Sequence, residues 1–174
     1  MPVPLYLRVL FYLSAFFLFL AIAAIPAYAA DPVAVASIED GMADCPGCNL
    51  ADAELAFECV KGGDLAKVDL TRANFRYGCL AGAKLGGARM RFADLTGANL
   101  SDADLAGADL SNGRFRLTMF VNANLEGAKL HGADLSAASL LQARGLTQAQ
   151  LDAACGSKST KLPDGLSIQP CPAP

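Results

Sequence analysis

The sequence predicts an all-β chain wound as a parallel solenoid of four-sided coils, closed by a short C-terminal helix. Three observations lead there: an apolar residue at every fifth position, a small residue two places before each, and charges that alternate in sign twenty residues apart. From Cys45 to Leu140 all twenty positions of the five-residue series are apolar, fourteen of them Leu, with no insertion. The residue two places earlier is Ala, Gly or Cys in seventeen of the twenty cases; the exceptions are Glu58, Val68 and Thr118.

Regular helix and strand both fail to use such a period. Five residues of α-helix advance about 500°, so successive Leu form no stripe. Along a straight strand an odd period sends alternate Leu to opposite faces. A chain that turns a corner every five residues buries the whole series. Within each short extended piece the small residue and the Leu share the inner face, and Gly, Asn, Asp and Ser elsewhere suit the corners.

The number of sides follows from charge. The residue before each Leu points outward and stacks on its counterpart one coil away, where like charges repel. At a spacing of twenty, seven charged pairs are opposite in sign, among them Asp64–Lys84, Asp69–Arg89 and Asp94–Arg114, and only Asp44–Asp64 is like. At fifteen, two are opposite and three are like. Four sides per coil is therefore the reading. Twenty repeats over residues 43–142 make five coils, about 24 Å long at the spacing of a parallel sheet.

At the N-terminus, residues 1–29 read as a secretory signal: Arg8, an apolar run from Val9 to Ile25, and a small-x-small site at Ala27-Tyr28-Ala29. Cleavage after Ala29 is favoured over retention as an anchor, because no stop-transfer cluster follows. The mature chain then carries thirteen basic against seventeen acidic residues, a balance that excludes a polybasic nucleic-acid binder. The high apolar content (53%) thus has two sources, the signal and the repeat. Export points to the periplasm or beyond, where thiols oxidise. Residues 30–42 read as a linker.

The runs Ala93-Asp94-Leu95-Thr96-Gly97, Ala98-Asn99-Leu100-Ser101-Asp102 and Ala103-Asp104-Leu105-Ala106-Gly107 resemble the A(D/N)LXX motif of pentapeptide-repeat proteins. The resemblance implies a right-handed quadrilateral β-helix, and it covers about 100 of the 174 residues. It says little about function; one branch of the family mimics DNA and protects topoisomerases from quinolones. Glu58 departs from the motif and predicts a bulge or a cap at the first coil.

Residues 143–174 form the C-terminal cover. Thr147 and Gln150 predict a capping box, Leu146 and Leu151 a hydrophobic staple, and a helix near 148–154 should end at Gly156. Of the six cysteines, Cys59 and Cys79 occupy the same outward position on successive coils and predict a disulfide staple. Cys155 and Cys171 predict a tie between tail and cap. Cys45 and Cys48 fall on inward positions and read as core residues, joined or not, rather than as a redox pair.

No catalytic constellation, cofactor motif or metal-ligand set is legible; the single His131 reads as solvated surface. The candidate partner surface is a group of arginines outside the charge columns, Arg72, Arg76, Arg91 and Arg116, interleaved with Tyr77 and Phe92, with Arg72 placed to stack on Phe92. Met119, Val121 and Leu141 form an apolar outer patch that the tail is expected to cover. The expected function is an exported, non-catalytic scaffold or interaction module with an unknown protein partner and no nucleic acid. The alternatives are a topoisomerase-protecting DNA mimic and a periplasmic thiol–disulfide protein. The oligomeric state is not set by the sequence.

Overall fold

A computed structural model describes residues 30–39 and 44–172; the secretory signal assigned to residues 1–29 lies outside the described residues. The chain closes on itself every twenty residues. Sixteen parallel bridges, from Asn49–Asp69 to Asn124–Arg144, each join residues twenty apart. Only the middle residue of each side is bridged, so the walls are columns of isolated bridges rather than extended strands. Hydrogen bonds continue the ladder on either side: Leu100 N–H donates to Met119 O at 2.8 Å, and Asn99 N–H to Gly78 O at 2.9 Å.

Every side ends in a tight turn closed by a bond such as Ala53 N–H to Leu50 O, 3.1 Å. The third residue of the turn has positive φ at all twenty corners, from Gly47 to Gln142, as a type II turn requires. Glycine fills eight of these positions and Asn or Asp four. The other eight carry side chains that rarely adopt this conformation, Phe57, Tyr77, Phe92 and Leu117 among them.

The bore holds the central Leu, Phe, Met and Val columns together with the small residues beside them, nearly all fully buried. Phe115 and Phe120 meet there with ring centroids 5.7 Å apart. Two departures from the small-residue series now have a physical account. Val68 is simply buried. Thr118 is buried too, and its hydroxyl donates to Leu95 O at 2.8 Å, so the polar group is satisfied inside the bore. Thr118→Val, which keeps the shape and removes that bond, should cost about 1 kcal/mol in urea denaturation. No loss at all would mean that the bond contributes nothing.

Glu58 produces no bulge. Val60 N–H still donates to Cys79 O and Cys79 N–H to Glu58 O, both at 2.9 Å. Glu58 belongs to the first coil, at the end of the bore, and its half-buried carboxyl sits near Glu39. Burial and the Glu39 charge raise its pKa.

Residues 30–42, read from sequence as a linker, contain helix α1 (Pro32–Glu39). Asp31 caps it through its carboxylate, which accepts from Val33 N–H at 2.8 Å, and Pro32 takes the first helical position. Ala34 and Ile38 are buried against the open first coil. The other end is closed by helix α2 (Gln148–Asp152), which has the expected capping box on Thr147 and Gln150. Gln150 also donates to Leu125 O at 2.9 Å and Ala128 O at 2.8 Å, satisfying carbonyls at the end of the fifth coil.

The tail is more than a cover. It rejoins the ladder as part of a sixth coil, with bridges Asp134–Cys155 and Ser139–Lys161, and residues 156 and 170 bridge within it. Leu162, Leu166 and Ile168 pack on the core. The tail therefore does not cover the Met119–Val121–Leu141 patch, where Met119 and Leu141 stay exposed. The open end of the apolar bore is the larger surface to be covered, and the tail is spent there.

Candidate functional site

The mid-side residues define four walls. Wall 1 carries Asn49, Asp69, Arg89, Asp109 and Lys129; wall 2 carries Glu54, Asn74, Asp94, Arg114 and Asp134. Wall 4 carries Asp64, Lys84, Asp104, Asn124 and Arg144. On these three, opposite charges stack as the twenty-residue spacing predicts. Arg89 lies 2.9 Å from Asp69, Arg114 3.8 Å from Asp94, and Lys84 3.9 Å from Asp64. Burial raises Asp69 and Asp109, but hydrogen bonds from Thr71 and Ser111 and the facing cations outweigh it, so both carboxyls titrate below their ordinary range. These groups favour the folded chain at neutral pH, and the contribution is lost as the pH falls through their folded-state range. Glu58, shifted the other way, favours the folded chain more as the pH falls.

Three of the four arginines expected to stand outside charge pairs are in them, and the fourth, Arg91, lies close enough to Asp109 to lower its pKa. Arg72 forms a two-pronged contact with Asp52 one coil away, both N–O distances being 2.6 Å, and holds the Asp52 carboxyl below its usual range. Arg76 lies 3.9 Å from Asp94 and Arg116 3.8 Å from Asp134; Arg91 acts on Asp109. The last three share a spacing of eighteen. A corner side chain reaches across to the adjacent wall of the next coil, a diagonal that comparing mid-side positions alone overlooks. The ring contacts differ as well: Arg76 lies over Tyr77 at 5.8 Å, and the contact on Phe92 comes from Arg91 at 5.7 Å. The arginine cluster is thus largely engaged by the protein itself.

Wall 3 is different in kind. Through the five coils its mid-side residues are Cys59, Cys79, Asn99, Met119 and Ser139, without a charge among them; the half-buried Glu58 lies beside Cys59 at one end, and Lys161 of the sixth coil follows Ser139 at the other. Phe57, Tyr77 and Leu117 stand along one bounding corner and Val121 and Leu141 along the other. Phe57 and Tyr77 stack with centroids 5.4 Å apart and planes 14° off parallel. Tyr77 lies where a Cβ on Gly97 would be, its Cε1 2.6 Å from that point, so Gly97 makes room for the ring. Of the seven large apolar side chains exposed among the described residues, five belong to this wall and its corners: Phe57, Tyr77, Leu117, Met119 and Leu141, from 41% to 74% exposed. Phe57 and Leu117 escaped the sequence reading. Sorting the apolar corner residues by their place in the twenty-residue coil would have found them.

The cysteines fall into three pairs at disulfide distance: Cys59 with Cys79, Cys155 with Cys171, and Cys45 with Cys48, with Cα separations of 4.6, 4.6 and 5.6 Å. Cys45 and Cys48 are only partly buried and close the first corner, Cys48 N–H donating to Cys45 O at 3.3 Å. The residue before them is Asp44, whose charge has the wrong sign to stabilise a thiolate. Asp134, Cys155 and Cys171 bring three metal-type donors together, but the two sulfurs lie at disulfide distance from each other. His131 is exposed. No helix among the described residues is long and apolar enough to cross a membrane.

The family model for pentapeptide repeats matches in eight copies, which together span residues 60–155, more than half of the chain. The chain belongs to the pentapeptide-repeat family. Similar solved structures include a pentapeptide repeat protein from the Arabidopsis thaliana thylakoid lumen, at 34% identity over 61% of this chain and 79% of that one, TM-score 0.46. A pentapeptide repeat protein from Nostoc Pcc 7120 is 32% identical over 78% of this chain and 88% of that one, TM-score 0.25. QnrB1, a plasmid-mediated fluoroquinolone resistance protein, is 22% identical over 66% of this chain and 62% of that one, TM-score 0.34. The search of curated proteins found no match.

Proposed function

We propose that this pentapeptide-repeat protein is an exported, non-catalytic interaction module, built on a right-handed quadrilateral β-helix, whose docking surface is wall 3. The observation that carries the reading is the concentration of exposed apolar side chains on the one wall whose mid-side column carries no charge through the five coils. Single exposed apolar residues need no explanation, but a contiguous patch marks a binding surface. Residues 1–29 are the export signal in this reading, and the three cysteine pairs are oxidised in the compartment it leads to. A DNA-mimicking role gains no support from the walls, because their charges alternate where a DNA mimic needs continuous negative potential.

Two measurements test the reading. Protein purified without reductant should titrate no free thiol until it is denatured and reduced; four or more free thiols would contradict an oxidising compartment. A photo-cross-linker placed at Asn99 on wall 3 in cells should capture a partner, while one at Asp109 on wall 1 should not. Equal capture from both walls, or capture of neither protein nor lipid at Asn99, would remove wall 3 as the docking surface.

A further inference from the structure

We propose that wall 3 docks on the surface of an anionic lipid bilayer. The inference deepens the reading of that wall as the docking surface and names its partner by chemistry. Three features select a lipid surface.

The first is shape. The mid-side N–H and C=O groups of the wall are engaged from coil to coil, as in Asn99 N–H to Gly78 O and Leu100 N–H to Met119 O. The wall therefore offers no unpaired strand edge to which a peptide could add. Its apolar groups project from both corners and the middle of a flat face, which suits a planar partner.

The second feature is the sign of the rim. Within the five coils the charged residues on its two bounding corners are Lys61, Arg76, Arg116 and Asp102; on the wall itself the half-buried Glu58 lies at one end and the exposed Lys161 of the sixth coil at the other, four cations to two anions in a chain whose net charge is −3. Arg76 and Arg116 meet their neighbouring acids only at 3.9 and 3.8 Å and remain about half exposed, so both keep donors for an anionic headgroup. An apolar face edged by cations, with a tyrosine among its rings, has the composition of a protein surface seated at the headgroup level. The same rim disfavours one mode of self-pairing: an antiparallel two-fold pairing centred on Asn99 would set Arg76 opposite Arg116.

The third is backbone conformation. Phe57, Tyr77 and Leu117 occupy left-handed corners, φ 68°, 57° and 60°, where glycine is least strained and where eight other corners do have glycine. Strain kept in place to present exposed apolar groups points to a use for those groups.

The chain contains no tryptophan, so an introduced one reports on one wall alone. In the full-length protein, Met119→Trp on wall 3 should show blue-shifted emission, quenchable by brominated lipid, with vesicles of phosphatidylglycerol and phosphatidylcholine in equal parts. Lys129→Trp on the opposite wall should show neither effect. Leu141→Trp repeats the measurement from the far corner in case Met119→Trp folds poorly. Replacing Lys61, Arg76 and Arg116 by Gln should weaken the response about five-fold per charge removed, and high salt should weaken it as well.

The proposal fails if wall 3 emission ignores the vesicles, or responds equally to phosphatidylcholine alone. It also fails if that emission is already blue-shifted without lipid, because the wall is then covered by a second copy or by the chain's own N-terminal segment. No response to lipid together with protein captured at Asn99 would sink the lipid proposal and leave the interaction module standing. No response and no capture would sink both.

Discussion

Leu100→Ala is expected to lower stability by about 2–5 kcal/mol, towards the upper end of that range. Leu100 is fully buried, and its column neighbours one coil either side are Leu80 and Phe120. In a globular core, surrounding elements move to close part of such a cavity. Here the coils are held apart by a ladder, with Leu80 N–H on Asn99 O and Leu100 N–H on Met119 O, both at 2.8 Å, so the bore cannot collapse along its axis. A defect in the middle of a solenoid also weakens two coil–coil interfaces at once. Urea denaturation of Leu100→Ala beside Leu141→Ala checks this; the exposed Leu141 change should stay within about 0.5 kcal/mol. Similar losses for the two would mean that the bore is not the source of stability.

Gly78→Ala should cost about 1–3 kcal/mol, the range for forcing extra volume into a packed core. A Cβ on Gly78 would fall on the Phe75 ring, with Cε1 at 2.7 Å and Glu58 O at 3.2 Å. Gly113, two residues before Phe115 on the same side, also makes room for a ring: the Phe115 Cζ would lie 2.9 Å from the added atom. Where the central column carries a phenylalanine in place of leucine at these two places, an adjacent small position is reduced from alanine to glycine. The double variant Gly78→Ala with Phe75→Leu restores the ordinary Ala/Leu pair and should recover much of the loss. Thermal unfolding of the two single variants and the double closes the cycle. Additive losses would show that ring and glycine are not matched to each other.

The legible part of this molecule was what repeats. A period of five fixes which side chains face inward, and opposite charges at a spacing of twenty fix four sides; the bridges follow both. Single departures were harder. The capping box at Thr147 and Gln150 was plain in the sequence because it is local. The pattern Asp31-Pro32 carries a comparable start signal for α1, but only Ala34 and Ile38 make its buried face, too little periodicity to mark a helix. The partners of Arg76 and Arg116 lie on a diagonal between walls, visible only once corner positions have a direction. The sixth-coil return of the tail stayed hidden for another reason. Helix α2 intervenes, and the register there moves from twenty to twenty-one and then twenty-two residues, as Asp134–Cys155 and Ser139–Lys161 show. Wall 3 is half legible: Met119, Val121 and Leu141 group by their place in the coil, whereas Phe57 and Tyr77 join them only once each corner is assigned to its wall.

The twenty-residue closure makes the molecule a ruler with a compass. Duplicating one whole coil, residues 85–104 for instance, would lengthen every wall by about 4.8 Å and leave each facing as before. Duplicating a single five-residue unit would preserve every buried contact type and yet turn all later residues by one wall. Met119 would then stand above Lys84 and Asp104 instead of Cys79 and Asn99. For this fold, insertions of five and of twenty are equally tolerable to the core but opposite in their effect on any surface assembled from several coils. The two lengths separate folding from function by counting alone.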